Sequence, residues 1–157
     1  MLGNFFDNHD RSRALSSGKL NGNHDRLKTA LGFHLNTIQL PIMYYGTEQG
    51  FNGETDPYDR EDMFDGAFEW GPSLGDNFNY THPLFVYVRK LMLIRNTYQQ
   101  LRRGNFTQRW QDWDSAGLYV FSRDYNGLGE VIVAVNTAAS TRSEEHTSEL
   151  QSRTLIS

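Results

Sequence analysis

The chain has 157 residues, a formal net charge of −4 and no cysteine, with 38% hydrophobic and 13% aromatic residues. This length and composition are typical of a folded protein with its own hydrophobic core. The sequence has no basic cluster to bind phosphates and no apolar run approaching the ~20 residues of a membrane span, which argues against nucleic acid and membranes as partners. The absence of thiols excludes disulfides and thiolate metal sites.

The first predicted elements are a strand and a helix. Leu2 to Phe6 is a short apolar run that indicates a buried strand, and polar residues follow it directly. After a loop rich in Gly, Ser and Asn, apolar residues recur at spacings of three and four from about Asp25. This pattern predicts a helix capped by Asn23 or Asp25 and ended by Pro41. Its apolar face would consist of Leu27, Ala30, Leu31, Leu35 and Ile38.

A second strand, a long loop and a second helix are predicted next. Ile42 to Tyr45 indicates a buried strand that stops at the following glycine. Residues 46–82 are polar, aromatic and rich in Gly, and loops of this length inside a compact domain are often functional. Pro83 suits the first position of a helix, which is predicted to run toward Leu101 and to end at Gly104.

The last part of the chain is predicted to be an antiparallel sheet. Its strand candidates are separated by turn residues, with a tight turn at 125–127, and they are Phe106–Trp110, Leu118–Arg123 and Val131–Asn136. The chain therefore alternates strands and helices first and continues with strands only. This order predicts an α/β first part, of the kind found in parallel barrels or sheets, and a small all-β second part, divided near Arg103 or Gly104.

The tetrapeptide Asn-His-Asp-Arg occurs twice, in different contexts. The copy at 8–11 follows a predicted strand at its C-terminal end, where barrel enzymes place catalytic side chains. The copy at 23–26 opens a predicted helix, where Asn and Asp act as caps. Gly22 to Asp25 also resembles the metal-binding Gly-Asn-His-Asp of metallophosphoesterases, but the preceding residues hold neither an Asp-x-His nor a Gly-Asp-x-x-Asp motif. The ligand count therefore excludes that metal site, and the second copy is interpreted as structural.

Three segments in a fixed order carry a resemblance to a known family. Phe6 to Asp10 resembles the fourth signature region of the α-amylase family, in which a strand ends in Asn-His-Asp. Leu40 to Gly50 is similar to the family's last barrel strand and the loop behind it, and Asp56 to Arg60 resembles the Asp-Pro-x-x-Arg element of that loop. The order and spacing of all three make the signal specific. The resemblance covers roughly residues 2–140.

The resemblance implies a fold and a division into domains. Members of the family fold as a (β/α)8 TIM barrel followed by a C-terminal antiparallel β domain. Residues 1–103 would supply the last two βα units of the barrel, with Leu2–Phe6 as strand seven and Ile42–Tyr45 as strand eight, and 104–141 would begin the β domain. The chain is thus expected to be a C-terminal fragment of fold class α/β. Residues 142–157 resemble a translated sequencing adapter and are expected to be an artefactual tail.

The resemblance also implies roles for four residues. The family cleaves α-glucosidic bonds with retention, using an Asp nucleophile, a Glu general acid/base and a further Asp. Asp10 matches this further Asp, a stabiliser of the transition state, and His9 matches the histidine that binds the sugar beside it. Asp56 and Arg60 match residues that bind glucose units on the non-reducing side of the cleaved bond. The alternatives are a polar strand-end cap for the first pair and a salt bridge that staples the loop for the second.

Aromatic residues form a further group of candidates. Trp70, Phe78 and Tyr80 in the long loop could stack on a glucose ring, and packing beneath the loop is an equal alternative for each. For Trp110 and Trp113 in the predicted β part, packing in the core or on a sheet face is favoured.

The matched residues do not include the family's nucleophile or acid/base. Those carboxylates belong to earlier barrel strands, and no residue here matches their signature regions, so the chain alone is expected not to hydrolyse starch. The resemblance implies an α-glucan or oligosaccharide substrate. It leaves open an α-amylase, an α-glucosidase, a cyclodextrin-degrading enzyme, a glucanotransferase or a non-catalytic member. Calcium commonly accompanies α-amylases, but its usual ligands lie outside the matched region, so no metal ligand or cofactor is assigned. Many relatives are secreted, and the sequence leaves the location undetermined.

Overall fold

The computed structural model describes residues 2–64 and 75–140, together with the backbone of residues 155–156. Its helices and strands are β1 (Gly3–Asn4), α1 (His24–Asn36), β2 (Leu40–Pro41), a 3₁₀ turn (Thr47–Gln49), α2 (Pro83–Thr97), α3 (Gln99–Arg103), β3 (Asn105–Gln111), β4 (Leu118–Asp124), β5 (Glu130–Asn136) and β6 (Leu155–Ile156). None of the helices in the described parts is long and apolar enough to cross a membrane.

The chain divides into two compact units. The first contains the residues up to His34 together with Gln39–Leu91, and the second contains Leu35–Ile38 together with the residues from Met92 onward. The division runs through α1 and α2 and does not coincide with the predicted limit near Arg103 or Gly104, which stays a prediction about domains.

β1 and β2 form a two-stranded parallel sheet in the first unit. Gly3 lies opposite Leu40, and Asn4 lies opposite Pro41. The amide nitrogens on either side of Pro41 supply the donors, and that of Ile42 reaches the Asn4 carbonyl at 2.8 Å. The missing N–H of Pro41 is therefore not needed in this ladder. Parallel strands joined through a helix are the arrangement of a βα unit.

Two predictions about these strands are wrong. The second strand is Leu40–Pro41 and not Ile42–Tyr45, because the chain leaves the ladder after Ile42 and turns at Gly46, which adopts a φ of 82°. The strands are also not buried, since Gly3 is exposed and Leu40 is 54% exposed. Two short strands alone cover little of each other's side-chain surface.

The first helix begins as predicted and ends early. The Asn23 side-chain oxygen accepts a hydrogen bond from the Arg26 amide at 2.9 Å, which confirms Asn23 as the cap. The helix ends at Asn36, so Pro41 does not end it and Ile38 lies outside it, exposed. The predicted apolar face is buried at Leu27, Leu31 and Leu35.

The second predicted helix is two helices. Pro83 is the first residue of α2, as predicted. The helix stops at Thr97 because Tyr98 is extended, with φ −100° and ψ 107°, and α3 follows. Gly104 ends α3 as predicted, and its amide donates to the Gln100 carbonyl at 2.8 Å.

The predicted antiparallel sheet is confirmed in the second unit. Its strands follow the order β3, β4, β5, with antiparallel pairing throughout. The predicted tight turn joins β4 and β5, with positive φ at Asn126 (46°) and Gly127 (71°). The buried hydrophobic residues of β4 and β5 are Val120, Phe121, Val131, Ile132, Val133 and Val135.

Two further features of this unit concern the end of the chain and its exposed indoles. β6 pairs with β5 in parallel, and its two residues belong to the segment 142–157, whose interpretation as an artefactual tail stays a prediction. Trp113 lies beyond β3 and is 82% exposed, so it does not pack in a core. Trp110 lies within β3 and is 46% exposed, which agrees with the sheet-face alternative.

Two buried arginines stabilise the second unit through main-chain carbonyls. Arg123 is fully buried and donates to the carbonyls of Asn36 (2.9 Å), Thr37 (2.6 Å), Gly104 (2.8 Å) and Asn105 (3.0 Å). Arg95 donates in the same way to the carbonyls of Leu35 (2.6 Å) and Leu101 (2.8 Å). Burial, together with the charge of Arg95, lowers the pKa of Arg123 to about 10. Most of these bonds satisfy carbonyls at or next to the ends of α1 and α3.

Candidate functional site

The four predicted site residues lie together in the first unit. The Nε2 atom of His9 lies 3.2 Å from Oδ2 of Asp10. The Nη2 atom of Arg60 lies 3.3 Å from Oδ1 of Asp56 and 3.8 Å from Oδ1 of Asp10. Arg60 also donates through Nε to the main-chain carbonyl of His9 at 3.1 Å. The guanidinium of Arg60 thus connects the other three residues, which come from two distant segments.

The site is open to solvent. The side chains of His9 and Asp10 are 64% and 67% exposed, and those of Asp56 and Arg60 are 60% and 41% exposed. Exposed ion pairs of this kind are weak. Their donors and acceptors are therefore available to a hydroxylated ligand, although the Asp56–Arg60 contact also suits the alternative role of stapling the loop.

A buried aspartate shapes the loop that carries His9 and Asp10. The Asp7 carboxylate accepts a hydrogen bond from the Ala14 amide at 3.0 Å and another from the Thr47 hydroxyl at 3.2 Å. The carboxylate thereby closes the 7–14 loop and ties it to the 3₁₀ turn. Sequence reasoning did not single out Asp7, and the available signal was its place between an apolar strand and a run of turn-forming residues.

A buried ion pair connects the same loop to the segment that carries Arg60. Arg13 donates through Nε to the Glu61 carboxylate at 2.9 Å, and both side chains are almost completely buried. Sequence reasoning did not identify this pair, because nothing local marks two charges separated by 48 residues as partners.

Tyr44 lies against this ion pair, and its pKa is influenced by the charge of Asp59. The guanidinium carbon of Arg13 lies 4.1 Å from the centre of the Tyr44 ring. The Asp59 side chain is fully buried, and its two oxygens have no hydrogen-bond partner among the described residues. Burial raises the pKa of Tyr44 to about 12, with further contributions from a hydrogen bond to Tyr45 and from the negative charge of Asp59.

The aromatic candidates of the long loop have different surroundings. Phe78 contacts Phe64 and Phe85, with ring centroids 5.9 and 5.7 Å apart, yet remains 43% exposed. Tyr80 is more exposed than Phe78. Trp70 lies outside the described residues. The contacts of Phe78 favour the packing alternative for that ring, while its exposed part stays accessible.

The second Asn-His-Asp-Arg copy has the predicted structural role at its first residue. Asn23 caps α1, and Asp25 pairs with Lys28 at 3.0 Å on an exposed helix turn. Among the described residues, no group of three or more His, Cys, Asp or Glu side chains could hold a metal ion. Calcium remains a prediction from the family resemblance.

Comparisons with known proteins identify relatives over most of the chain. No protein-family model matches it. The β/α-amylase of Paenibacillus polymyxa is 42% identical over 87% of this chain, and a cyclomaltodextrin glucanotransferase of Niallia circulans is 35% identical over 87%. Among solved structures, an α-amylase of Anoxybacillus superposes with a TM-score of 0.71 and 31% identity over 90% of this chain.

The chain spans only a small part of these relatives, at 10%, 16% and 28% of their respective lengths. The match nevertheless covers 87% of this chain in sequence and 90% of it in structure. The matched proteins are named as amylases and a glucanotransferase, all enzymes of the α-amylase type. The chain therefore belongs to the α-amylase family of glycoside hydrolases.

Proposed function

We propose that this chain supplies part of the substrate site of a retaining enzyme that cleaves α-1,4-glucosidic bonds in starch and maltooligosaccharides. β1 and β2 would be the seventh and eighth strands of its barrel. The observation that carries the proposal is the convergence of His9, Asp10, Asp56 and Arg60 around one guanidinium. Two segments of the sequence that separately resemble family motifs meet at one exposed surface.

The proposed roles follow from the chemistry of the transition state. Cleavage of a glycosidic bond passes through an oxocarbenium-like state with positive charge near the sugar ring. Asp10 would stabilise that charge and bind ring hydroxyls, and the neighbouring His9 imidazole would donate to or accept from a hydroxyl. Asp56 and Arg60 would bind the next glucose units through charge-assisted hydrogen bonds.

The isolated chain is proposed to bind α-glucan without cleaving it. Retaining cleavage requires a nucleophile and an acid/base about 5–5.5 Å apart. No residue of this sequence matches the family segments that carry them. Amylases and glucanotransferases both occur among the relatives, so the proposal covers both kinds of product.

Binding is tested by titrating the chain with maltoheptaose, a linear α-1,4-glucan, and with cellohexaose, its β-linked counterpart. We expect maltoheptaose alone to bind, and Asp10→Asn and Arg60→Gln to raise its Kd by about tenfold each, because each loses charge-assisted bonds. Asp25→Asn in the second tetrapeptide is the matched control and should leave Kd unchanged. Equal affinity for both glucans, or equal Kd for all variants, would contradict the proposal.

Absence of cleavage is tested separately by a reducing-sugar assay on soluble starch. The chain is expected to show no turnover above its Asp10→Asn variant. Clear turnover by the wild-type chain would show that it contains a complete catalytic pair.

A further inference from the structure

The geometry points to the buried Arg13–Glu61 ion pair as the device that positions Arg60 against Asp10, an inference that rests on the proposed role of this site. Arg13 follows Asp10 by three residues, and Glu61 directly follows Arg60. The pair therefore joins the two segments immediately behind the residues that meet at the surface. Arg13 and Glu61 are positioning residues, because neither reaches the exposed surface.

Glu61 fixes the course of the long loop with one carboxylate. Its Oε1 atom accepts the amides of Asn52 and Gly53 at 2.7 and 2.8 Å, while Oε2 accepts Nε of Arg13 at 2.9 Å. The Arg13 amide in turn donates to the Gly53 carbonyl at 2.9 Å. The beginning and the end of the 52–61 segment are thus bound to one another and to the 7–14 loop.

Arg13 is held on its remaining sides by aromatic rings. Its guanidinium carbon lies 4.1, 4.8 and 5.3 Å from the ring centres of Tyr44, Tyr45 and Phe51, and Nη1 donates to the Tyr45 carbonyl at 2.5 Å. Cation–π contacts of a desolvated guanidinium are stronger than exposed ones. The side chain therefore has one well-defined position.

The exposed contacts of Arg60 are too weak to hold it in place alone. Its pairs with Asp56 and Asp10 are solvent-exposed and are screened by salt. The Arg13–Glu61 pair is shielded from solvent, and removal of one partner leaves an uncompensated buried charge. The buried pair must therefore supply most of the order that brings Arg60 within reach of the His9 carbonyl.

The test follows the Nε–H group of Arg60 by ¹⁵N NMR hydrogen exchange in the full chain. This group donates to the His9 carbonyl and reports the placement of Arg60 directly. Glu61→Gln keeps an oxygen for the Asn52 and Gly53 amides but loses the charge that binds Arg13. We expect exchange of the Arg60 Nε–H to become about tenfold faster in this variant.

Two further variants and one internal reference make the result specific. Glu54→Gln is the matched control, since Glu54 also accepts a main-chain amide, that of Ser17, while the Arg13 guanidinium donates to Glu61 and to the Tyr45 carbonyl. Its Arg60 exchange should equal that of the wild type. The double variant Arg13→Met, Glu61→Gln removes both buried charges, so neither is left without its partner and the chain is more easily kept folded. Exchange of the Arg60 Nε–H should be as fast in this variant as in Glu61→Gln. The Nε–H of Arg123, which donates to Asn105 in the second unit, should stay protected throughout.

Each outcome decides the inference. Unchanged Arg60 exchange in the folded Glu61 variants overturns it, and so does a wild-type Arg60 that exchanges as fast as a free guanidinium. Unfolding of both Glu61 variants also overturns it and makes the pair a stabilising element only. The maltoheptaose titration on the same samples tests the proposed function independently. A wild-type chain that protects Arg60 but binds no glucan would contradict the function and leave the positioning role standing.

Discussion

Substitution of Arg123 by methionine tests how the second unit is held together. The change keeps an unbranched side chain and removes the guanidinium from the carbonyls of residues 36, 37, 104 and 105, which lie at or next to the ends of α1 and α3. The bonds to residues 36, 37 and 104 are buried, so these three carbonyls would be left without their donor away from water.

Two opposing effects determine how much Arg123→Met lowers the free energy of unfolding. A hydrogen bond from a charged donor contributes about 1.5–3 kcal/mol to stability. Burial of the charge opposes this, since it lowers the pKa of Arg123 to about 10, and this shift from the ordinary value corresponds to a penalty of about 3 kcal/mol. Arg123→Met loses several hydrogen bonds and removes only one penalty, that of burying the charge. We therefore expect it to lower the free energy of unfolding by about 3–5 kcal/mol.

The measurement is urea unfolding followed by far-UV circular dichroism. The control is Arg109→Met on β3, where Arg109 donates to the Ser122 hydroxyl at 2.8 Å and pairs with Glu130, but is 37% exposed. That variant should lower the free energy of unfolding by less than Arg123→Met does, by about 1–2 kcal/mol, because fewer bonds are lost. A loss for Arg123→Met no larger than the loss for Arg109→Met would refute the reasoning.

Three further predictions concern the first unit. Asp7→Ala removes the carboxylate that accepts hydrogen bonds from the Thr47 hydroxyl and from the buried Ala14 amide. It should therefore lower the free energy of unfolding by about 2–3 kcal/mol in the same assay, and a loss below about 0.5 kcal/mol would contradict this. Asp59→Asn removes a buried charge without a hydrogen-bond partner among the described residues, and it should stabilise the chain by about 1–2 kcal/mol; destabilisation would count against the assigned surroundings of Asp59. Hydrogen bonds from Ser17 lower the pKa of Glu54 below its ordinary 4.5. The stability from these bonds is therefore present above pH 4.5 and is lost as the pH falls through the lowered pKa, and a ¹³C titration that places the pKa at or above 4.5 would contradict this.

The regular elements with strong local signals could be predicted from the sequence. The tight turn at Asn126 and Gly127, the first residue of α2 at Pro83 and the cap at Asn23 all depend on local backbone preferences, and all are confirmed. The short strands could not be placed as well. Ile42–Tyr45 is as apolar as a buried strand, but hydrogen-bond pairing with β1, which is not local, sets the strand at Leu40–Pro41.

In the candidate site, too, residues within local motifs could be predicted from the sequence, whereas contacts between distant segments could not. Family motifs identified His9, Asp10, Asp56 and Arg60, and the structure brings all four together, while their roles stay proposals. The supporting pair Arg13–Glu61 could not be found from sequence. Nothing in the composition of either segment shows that one guanidinium will be stacked among aromatic rings and paired with one distant carboxylate.

The most direct test of the central claim is a chemical-shift map of the ¹⁵N-labelled chain titrated with maltoheptaose. The two Asn-His-Asp-Arg copies make the chain its own control, because they share a sequence and differ only in surroundings. We expect saturable shifts at residues 8–11 and at Asp56 and Arg60, with none at residues 23–26. Shifts confined to other residues, or equal shifts at both copies, would contradict the claim that this surface is the glucan-binding part of an α-amylase-type site.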